Sequence, residues 1–164
     1  MQQSLEDPLF VKSVVTRELK ISYIYCGETL PAVLEKILIT RFAGKCSHEG
    51  YINSQGIKLI SYTAGELTPD AMVIYTVVFE CLIFNPASDT ILTGKVRSVT
   101  KAGLEIISDI HDPSPFNAFI ISEHAIAASL ANYKISDRIE FKVIGSVNTL
   151  GDKQMHIIGN LVTK

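Results

Sequence analysis

The sequence predicts an α+β protein in two parts: a helix packed on an antiparallel sheet, then a five-stranded β-barrel. Three observations carry this reading. Only one stretch keeps a sustained helical period: Leu30, Val33, Leu34, Ile37, Leu38 and Phe42 follow one another at three- and four-residue steps and make a single apolar stripe. The run from Met72 to Phe84 is apolar on both alternating faces, as a long strand would be. After Asn85 the rhythm changes to short β-like runs separated by turn residues.

Taken in order, residues 10–25 are rich in β-branched and aromatic side chains, with Lys12, Arg17, Glu18 and Lys20 interspersed. They predict a long edge or half-exposed strand, broken near Arg17-Glu18. In the helix, Thr29 stands where it can cap the N-terminus, Pro31 is tolerated in the first turn, and Gly44 sits where a helix stops. Gly50-Tyr51-Ile52 and residues 56–62 read as short strands about the turn Asn53-Ser54-Gln55-Gly56, and residues 63–70 are a loop by composition. In the run 72–84, Val73, Tyr75, Val77, Phe79, Cys81 and Ile83 share one face, and Ile74, Val78, Leu82 and Phe84 fall on the other. Such a strand is expected to be covered on both sides. At about 3.3 Å per residue it spans roughly 40 Å and can serve two packed units at once, with Glu80 near the crossing.

Beyond the turn Asn85-Pro86-Ala87-Ser88-Asp89, strands are expected at 90–100, 103–108, 117–121, 138–147 and 154–161. The Ala-rich segment 122–131, with Ser122 as a cap, predicts one or two helical turns between the third and fourth. Five strands with a helix at that place is OB-barrel topology. The domains are therefore expected at 1–84 and 85–164.

Composition narrows the functional classes. Fifteen basic against 17 acidic residues leave a net charge of −2, so nucleic acid gains nothing from the overall charge and any contact must come from a local patch. Three cysteines without a CxxC pair argue against a disulfide framework and for a reducing compartment. The start MQQSLEDPLF lacks a basic and apolar leader, and the run 72–84, which carries Thr76 and Glu80, is too short to cross a bilayer as a helix. A soluble intracellular protein with no membrane partner is expected.

Several short motifs then fall in a recognisable order. Phe84-Asn85-Pro86 closes the long apolar run, Gly94-Lys95-Val96 opens the barrel, and Gly103-Leu104-Glu105-Ile106 begins its second strand. This arrangement resembles the stalk-subunit family of multisubunit DNA-directed RNA polymerases, which includes the seventh subunit of RNA polymerase II and the archaeal E subunit. Ala118-Phe119-Ile120-Ile121-Ser122-Glu123-His124, the run Ser136 to Val143, and His156-Ile157-Ile158-Gly159 resemble later strands of that family; Phe42-Ala43-Gly44-Lys45-Cys46 with Gly50-Tyr51-Ile52 resembles its first domain. Two departures stand out. Leu104 replaces an aromatic common after the second-strand glycine, which would remove a stacking surface. The loop 65–70 only loosely echoes the family's tip.

The resemblance implies an RNP-like tip domain that docks to the polymerase core through Gly65, Glu66, Leu67, Thr68, Pro69 and Asp70. The bland alternative is an ordinary surface connection. It also implies a second stalk subunit packed along the seam between the domains, and initiation factors and nascent single-stranded RNA as weak partners of the OB domain. The residues themselves offer an RNA-facing patch. If Leu92 and Val96 point into the barrel, alternation sends Lys95 and Arg97 outward, with Lys101 at the turn and Phe119 as an aromatic surface nearby. The alternative is a solvated strand face with Phe119 in the core.

No metal and no cofactor are expected. Cys46-x-His48 offers two ligands, and Cys26 is a possible neighbour, but tetrahedral zinc needs further ligands at sensible spacing. His111, His124 and His156 show no common pattern. No catalytic motif is present, and Asp109, His111 and Asp112 beside Pro113-Ser114-Pro115 read as an irregular loop rather than an acid–base cluster. The expected function is a non-catalytic polymerase stalk subunit, found in the nucleus if cellular and eukaryotic, or in the virion and host cytoplasm if viral. The rival is a free-standing single-stranded-RNA-binding OB protein in translation or RNA turnover.

Overall fold

The computed structural model describes residues 7–121 and 132–162. It is mostly β, with one α-helix among the described residues, and the chain divides into two compact units. One unit comprises Met1–Lys45 and Ile52–Phe84, the other Cys46–Tyr51 and Asn85–Lys164. In chain order the first half contains β1 (Val11–Ser22), α1 (Leu30–Phe42), β2 (Lys45–Ser47), β3 (Gly50–Ile52), β4 (Lys58–Tyr62), β5 (Glu66–Leu67) and β6 (Met72–Phe84).

β6 is the spine of the first unit. β1 runs antiparallel along its whole length, from Val11 opposite Ile83 to Ser22 opposite Met72. β4 and β5 pair with its other edge. The expected break at Arg17-Glu18 does not occur: these residues stay in register opposite Val77 and Thr76. The backbone ladder continues through both residues because each side chain has a place: Glu18 is exposed to solvent, and the half-buried Arg17 lies over the Phe42 ring, 5.9 Å from its centroid. Nor is β6 shared between two units as expected. All of it belongs to the first, because β1 is long enough to pair with nearly every residue.

Alternation places Val73, Tyr75, Val77, Phe79, Cys81 and Ile83 on one buried face, joined by Val15, Leu19 and Ile21 of β1. α1 lays Leu30, Leu34 and Leu38 on this face. Burying each leucine fully contributes about 1.5–3 kcal/mol. Phe42 stacks on Phe79 with ring centroids 5.8 Å apart, and the Glu35 carboxylate accepts the Leu59 N–H at 3.2 Å. Thr29 occupies the N-cap position but its side chain makes no capping bond. Pro31, which lacks an N–H, reduces the need for one. Gly44, at φ 68°, turns the chain out of the helix and donates its N–H to Ile52 at 3.0 Å.

On the other face of β6, Ile74, Val78 and Leu82 are only half-buried and Phe84 alone at its end is buried, so the expected cover on both sides is incomplete. β1 supplies the reason. It sets Lys12, Glu18 and Lys20 opposite Leu82, Thr76 and Ile74, and Lys12 pairs with Glu80 at 3.0 Å. Charged neighbours make this face compatible with water.

In the second unit β7 (Ile91–Thr100), β8 (Gly103–Ile107), β9 (Phe116–Ile121), β10 (Arg138–Val147) and β11 (Met155–Leu161) close into a barrel in the order β7-β8-β9-β11-β10. β9 and β11 run parallel and the other pairs are antiparallel. This is an OB-like barrel. Its interior holds Leu92, Val96, Leu104, Ile106, Phe116, Ala118, Ile120, Ile139, Phe141, Val143, Met155 and Ile157, the inward half of each strand's alternation. The helix expected at 122–131 lies outside the described residues.

The hairpin Cys46–Tyr51, drawn from the first half of the chain, belongs to the barrel unit. Cys46 donates its N–H to the Asp152 carbonyl at 2.7 Å, and Gly151 donates to the Cys46 carbonyl at 3.0 Å. The Asn148 amide donates to the Ser47 carbonyl, and that of Asn85 to the Glu49 carbonyl at 3.0 Å.

Candidate nucleic-acid interface

The outer face of β7, β8 and β9 is built by the same alternation that fills the barrel. With Leu92, Gly94 and Val96 inside, Lys95 and Arg97 stand exposed on β7. Lys101 is exposed in the turn that follows. Phe119 is half-buried on the outer face of β9, outside the barrel core. Its ring reaches across to β8. A Cβ built on Gly103 would lie 3.1 Å from the Phe119 Cζ and 2.0 Å from the Ile120 carbonyl oxygen. Gly103 therefore lets β8 and β9 approach, and the ring covers the gap that the absent side chain leaves.

Leu104 corrects one expectation. It is fully buried in the barrel, so an aromatic at that position would serve the core and not the outer surface. The aromatic on the outer surface of these strands is Phe119, beside the half-exposed Ile158 on β11, its register partner.

Two charged residues join the patch that spacing along the chain does not reveal. Arg138 of β10 lies opposite Lys95 in the register, with its guanidinium 2.9 Å from the Asp109 carboxylate. Glu105 of β8 lies opposite Phe119 on one side and Ser98 on the other. Its carboxylate accepts the Ser98 hydroxyl at 2.8 Å and the Asn117 amide at 2.8 Å, and stands 3.6 Å from Arg97. These partners hold the Glu105 carboxyl below its ordinary range: the Ser98 bond acts most strongly, then that of Asn117, with Arg97 adding a weaker electrostatic pull against the opposing effect of burial. Arg97 is thus partly neutralised, while Lys95 and Lys101 have no ion-pair partner among the described residues. The signal that could have found Glu105 is its alternation with the buried Leu104 and Ile106, once β8 was known to lie between β7 and β9.

An OB barrel commonly binds oligonucleotides on its second and third strands and in the loops after its first and fourth. Here the loop between β10 and β11 is engaged at Cys46 and Ser47 by the hairpin Cys46–Tyr51. The face of β8 and β9, with Lys101 at its rim, stays exposed to solvent in part.

The segment 63–70 is more ordered than a plain loop. β5 pairs Glu66 and Leu67 with Ile74 and Val73. The Thr68 N–H donates to the Met72 carbonyl at 2.8 Å, Ala71 donates to Thr68 at 3.1 Å, and the Thr68 hydroxyl donates to Asp70. Lys20 reaches Asp70 at 2.7 Å. At Gly65 a Cβ would lie 2.4 Å from the Val73 Cγ1 and 2.8 Å from the Tyr75 ring, so glycine lets this segment lie close against β6. Pro69 sits within the turn. Around it Leu67 is 70% exposed, and Tyr23, Ile24 and Tyr25 are also exposed in the 3-10 turn that follows β1. The Tyr23 N–H donates to the Ala71 carbonyl at 3.3 Å, which brings that turn to the same end of the sheet.

The remaining candidates show ordinary structural environments. Cys46 is buried and its thiol is pushed up to about 11 by desolvation, with the Asp152 carboxylate adding to it; His48 beside it is exposed. Cys26 accepts the Tyr75 hydroxyl at 3.2 Å. Among the described residues no three His, Cys, Asp or Glu side chains come together as a metal site, and no helix is long and apolar enough to cross a membrane. His124 lies outside the described residues. Asp109 is held by Arg138, and Ser114 ties the loop before β9 by accepting the Ser108 N–H at 2.9 Å and donating to the Phe116 carbonyl at 2.6 Å.

The class of protein this geometry defines is a chain with an OB-like five-stranded barrel and a helix-on-sheet unit. No family model and no curated protein matches the chain. Among solved structures it is similar to GSP13 from Bacillus subtilis, at 15% identity and a TM-score of 0.38, over 47% of this chain and 56% of that one. It is also similar to the uncharacterized protein MJ1198 from Methanocaldococcus jannaschii, at 15% identity and a TM-score of 0.35, over 48% of this chain and 96% of that one. The chain thus spans little more than half the length of the first of these structures.

Proposed function

We propose that this chain is a non-catalytic stalk subunit of a DNA-directed RNA polymerase, whose first unit is an RNP-like tip docking to the polymerase core and whose barrel contacts nascent RNA and initiation factors. The observation that carries the proposal is the ordered apolar end of the first unit. Leu67, Tyr23, Ile24 and Tyr25 are exposed together around a turn braced by Lys20 and Asp70. Apolar side chains held out by a preorganised turn lose little entropy on burial, which suits insertion into a protein groove. This is the same segment, Gly65 to Asp70, to which the family resemblance assigns docking. A second stalk subunit completes the assembly, and the compartment follows that of the polymerase.

The barrel supports the RNA part of the reading through Lys95, Arg97 and Lys101 beside Phe119: cations for phosphates and a ring for a base. With a net charge of −2, affinity for RNA is weak outside the assembly. A second reading, a free-standing single-stranded-RNA-binding protein, rests on this same face.

Affinity capture of the tagged full chain from its source cells separates them. Large polymerase subunits and a second small subunit are expected with the native chain and lost with Leu67→Asp, while circular dichroism of the variant stays unchanged. Capture without polymerase subunits, combined with tight binding of single-stranded RNA by the pure chain, overturns the stalk reading in favour of the free-standing one.

A further inference from the structure

We propose that Glu105 reads the base stacked on Phe119 and makes the barrel prefer guanine; the inference rests on the RNA-binding reading of this face. A carboxylate is out of place on a surface meant only for phosphates, since it repels them and neutralises Arg97 at 3.6 Å. The Ser98 hydroxyl and the Asn117 amide take up only one acceptor position on each carboxylate oxygen. Yet the side chain is ionised, 27% exposed, and seated beside the aromatic platform.

Position gives it a use. Glu105 lies directly opposite Phe119, and cross-strand neighbours have Cβ atoms about 5 Å apart. The Phe119 ring extends over Gly103, two residues before Glu105 on the same face of β8. A base stacked on that ring presents its edge towards the carboxylate. Each carboxylate oxygen accepts one hydrogen bond at normal distance, Asn117 on Oε1 and Ser98 on Oε2. A carboxylate has about four acceptor positions, so each oxygen retains capacity for another donor.

Guanine is the base that offers two adjacent donors, N1–H and the N2 amino group, on its Watson–Crick edge. Uracil offers one donor flanked by two carbonyl acceptors. Cytosine and adenine each pair an amino donor with a ring-nitrogen acceptor. An acceptor-only group therefore matches guanine and repels part of every other edge.

The test is fluorescence anisotropy with the full chain and labelled oligonucleotides of about eight uridines, carrying a central guanosine, inosine, adenosine or no replacement. A bidentate charge-assisted pair predicts about tenfold tighter binding of the guanosine oligomer than of the all-uridine one, with inosine, which lacks the N2 amino group, in between. In Glu105→Gln the guanosine preference falls to about twofold or less, while the all-uridine oligomer binds more tightly because Arg97 is no longer neutralised. Binding of all four oligomers with equal affinity by the native chain overturns the inference and leaves the RNA reading standing. The same holds if the preference survives Glu105→Gln. No binding of any oligomer at low salt and the highest chain concentration, where weak binding is detectable, overturns both. The inosine comparison uses the native chain, so it tests recognition of the two guanine donors even where the variant folds poorly.

Discussion

Gly103 shows how one missing side chain shapes the candidate interface. Its φ of +153° lies in a region L side chains rarely adopt, and a Cβ there would press on the Ile120 carbonyl oxygen at 2.0 Å. Gly103→Ala is therefore expected to lower stability by at least about 2 kcal/mol, read as a fall in the urea midpoint. A neutral result would mean that β8 and β9 do not approach as described. The thiols give a second test at this scale. Cys46 and Cys81 are buried and Cys26 is exposed, with the Cys46 thiol raised to about 11. Only deprotonated, accessible thiols react readily. A disulfide reagent is expected to modify one thiol quickly in the folded chain and the other two only after denaturation.

Among the elements, the turn joining β5 to β6 combines order and exposure. The Asp70 carboxyl is lowered from 3.8 to about 2, chiefly by its bond from Lys20 and then by that from Thr68. A depressed carboxyl stabilises the folded state above its unfolded pKa and stops doing so as pH falls through the folded value. The Lys20–Asp70 brace is thus present above about pH 4 and lost towards pH 2. A carboxyl NMR titration should give Asp70 a midpoint near 2 in the native chain, returning towards 3.8 in Lys20→Gln; an ordinary midpoint in the native chain would show that the brace does not form in solution. The charged pair joins residues 50 positions apart in the sequence, so nothing in the composition of residues 63–70 could have announced it. By contrast, the stripe on α1 was legible, because helix period and burial are set by neighbours three and four residues away.

For the whole molecule, charge decides how RNA would be held. The net charge is −2, and within the patch Arg97 and Arg138 already face carboxylates, which leaves Lys95 and Lys101 as the cations with no such neighbour among the described residues. Two to three neutralised phosphates predict a slope of about −1.4 to −2 for log affinity against log salt with a single strand, from roughly −0.7 per phosphate. A much steeper slope, measured by anisotropy between low and physiological salt, would point to a larger basic surface than this face provides.

Local sequence by itself determined the alternation of each strand, the single helical stripe, the five-stranded rhythm after Asn85 and hence the outward direction of Lys95 and Arg97. These are properties of period, and period is written in neighbouring residues. Only the tertiary structure decided that Glu105 stands between Arg97 and Phe119, that Arg138 lies beside Lys95, that β6 stays within one unit, and that the hairpin Cys46–Tyr51 joins the barrel. Each depends on which strands pair and in what register. Register is settled by how whole faces fit together, so no short stretch of the chain contains it.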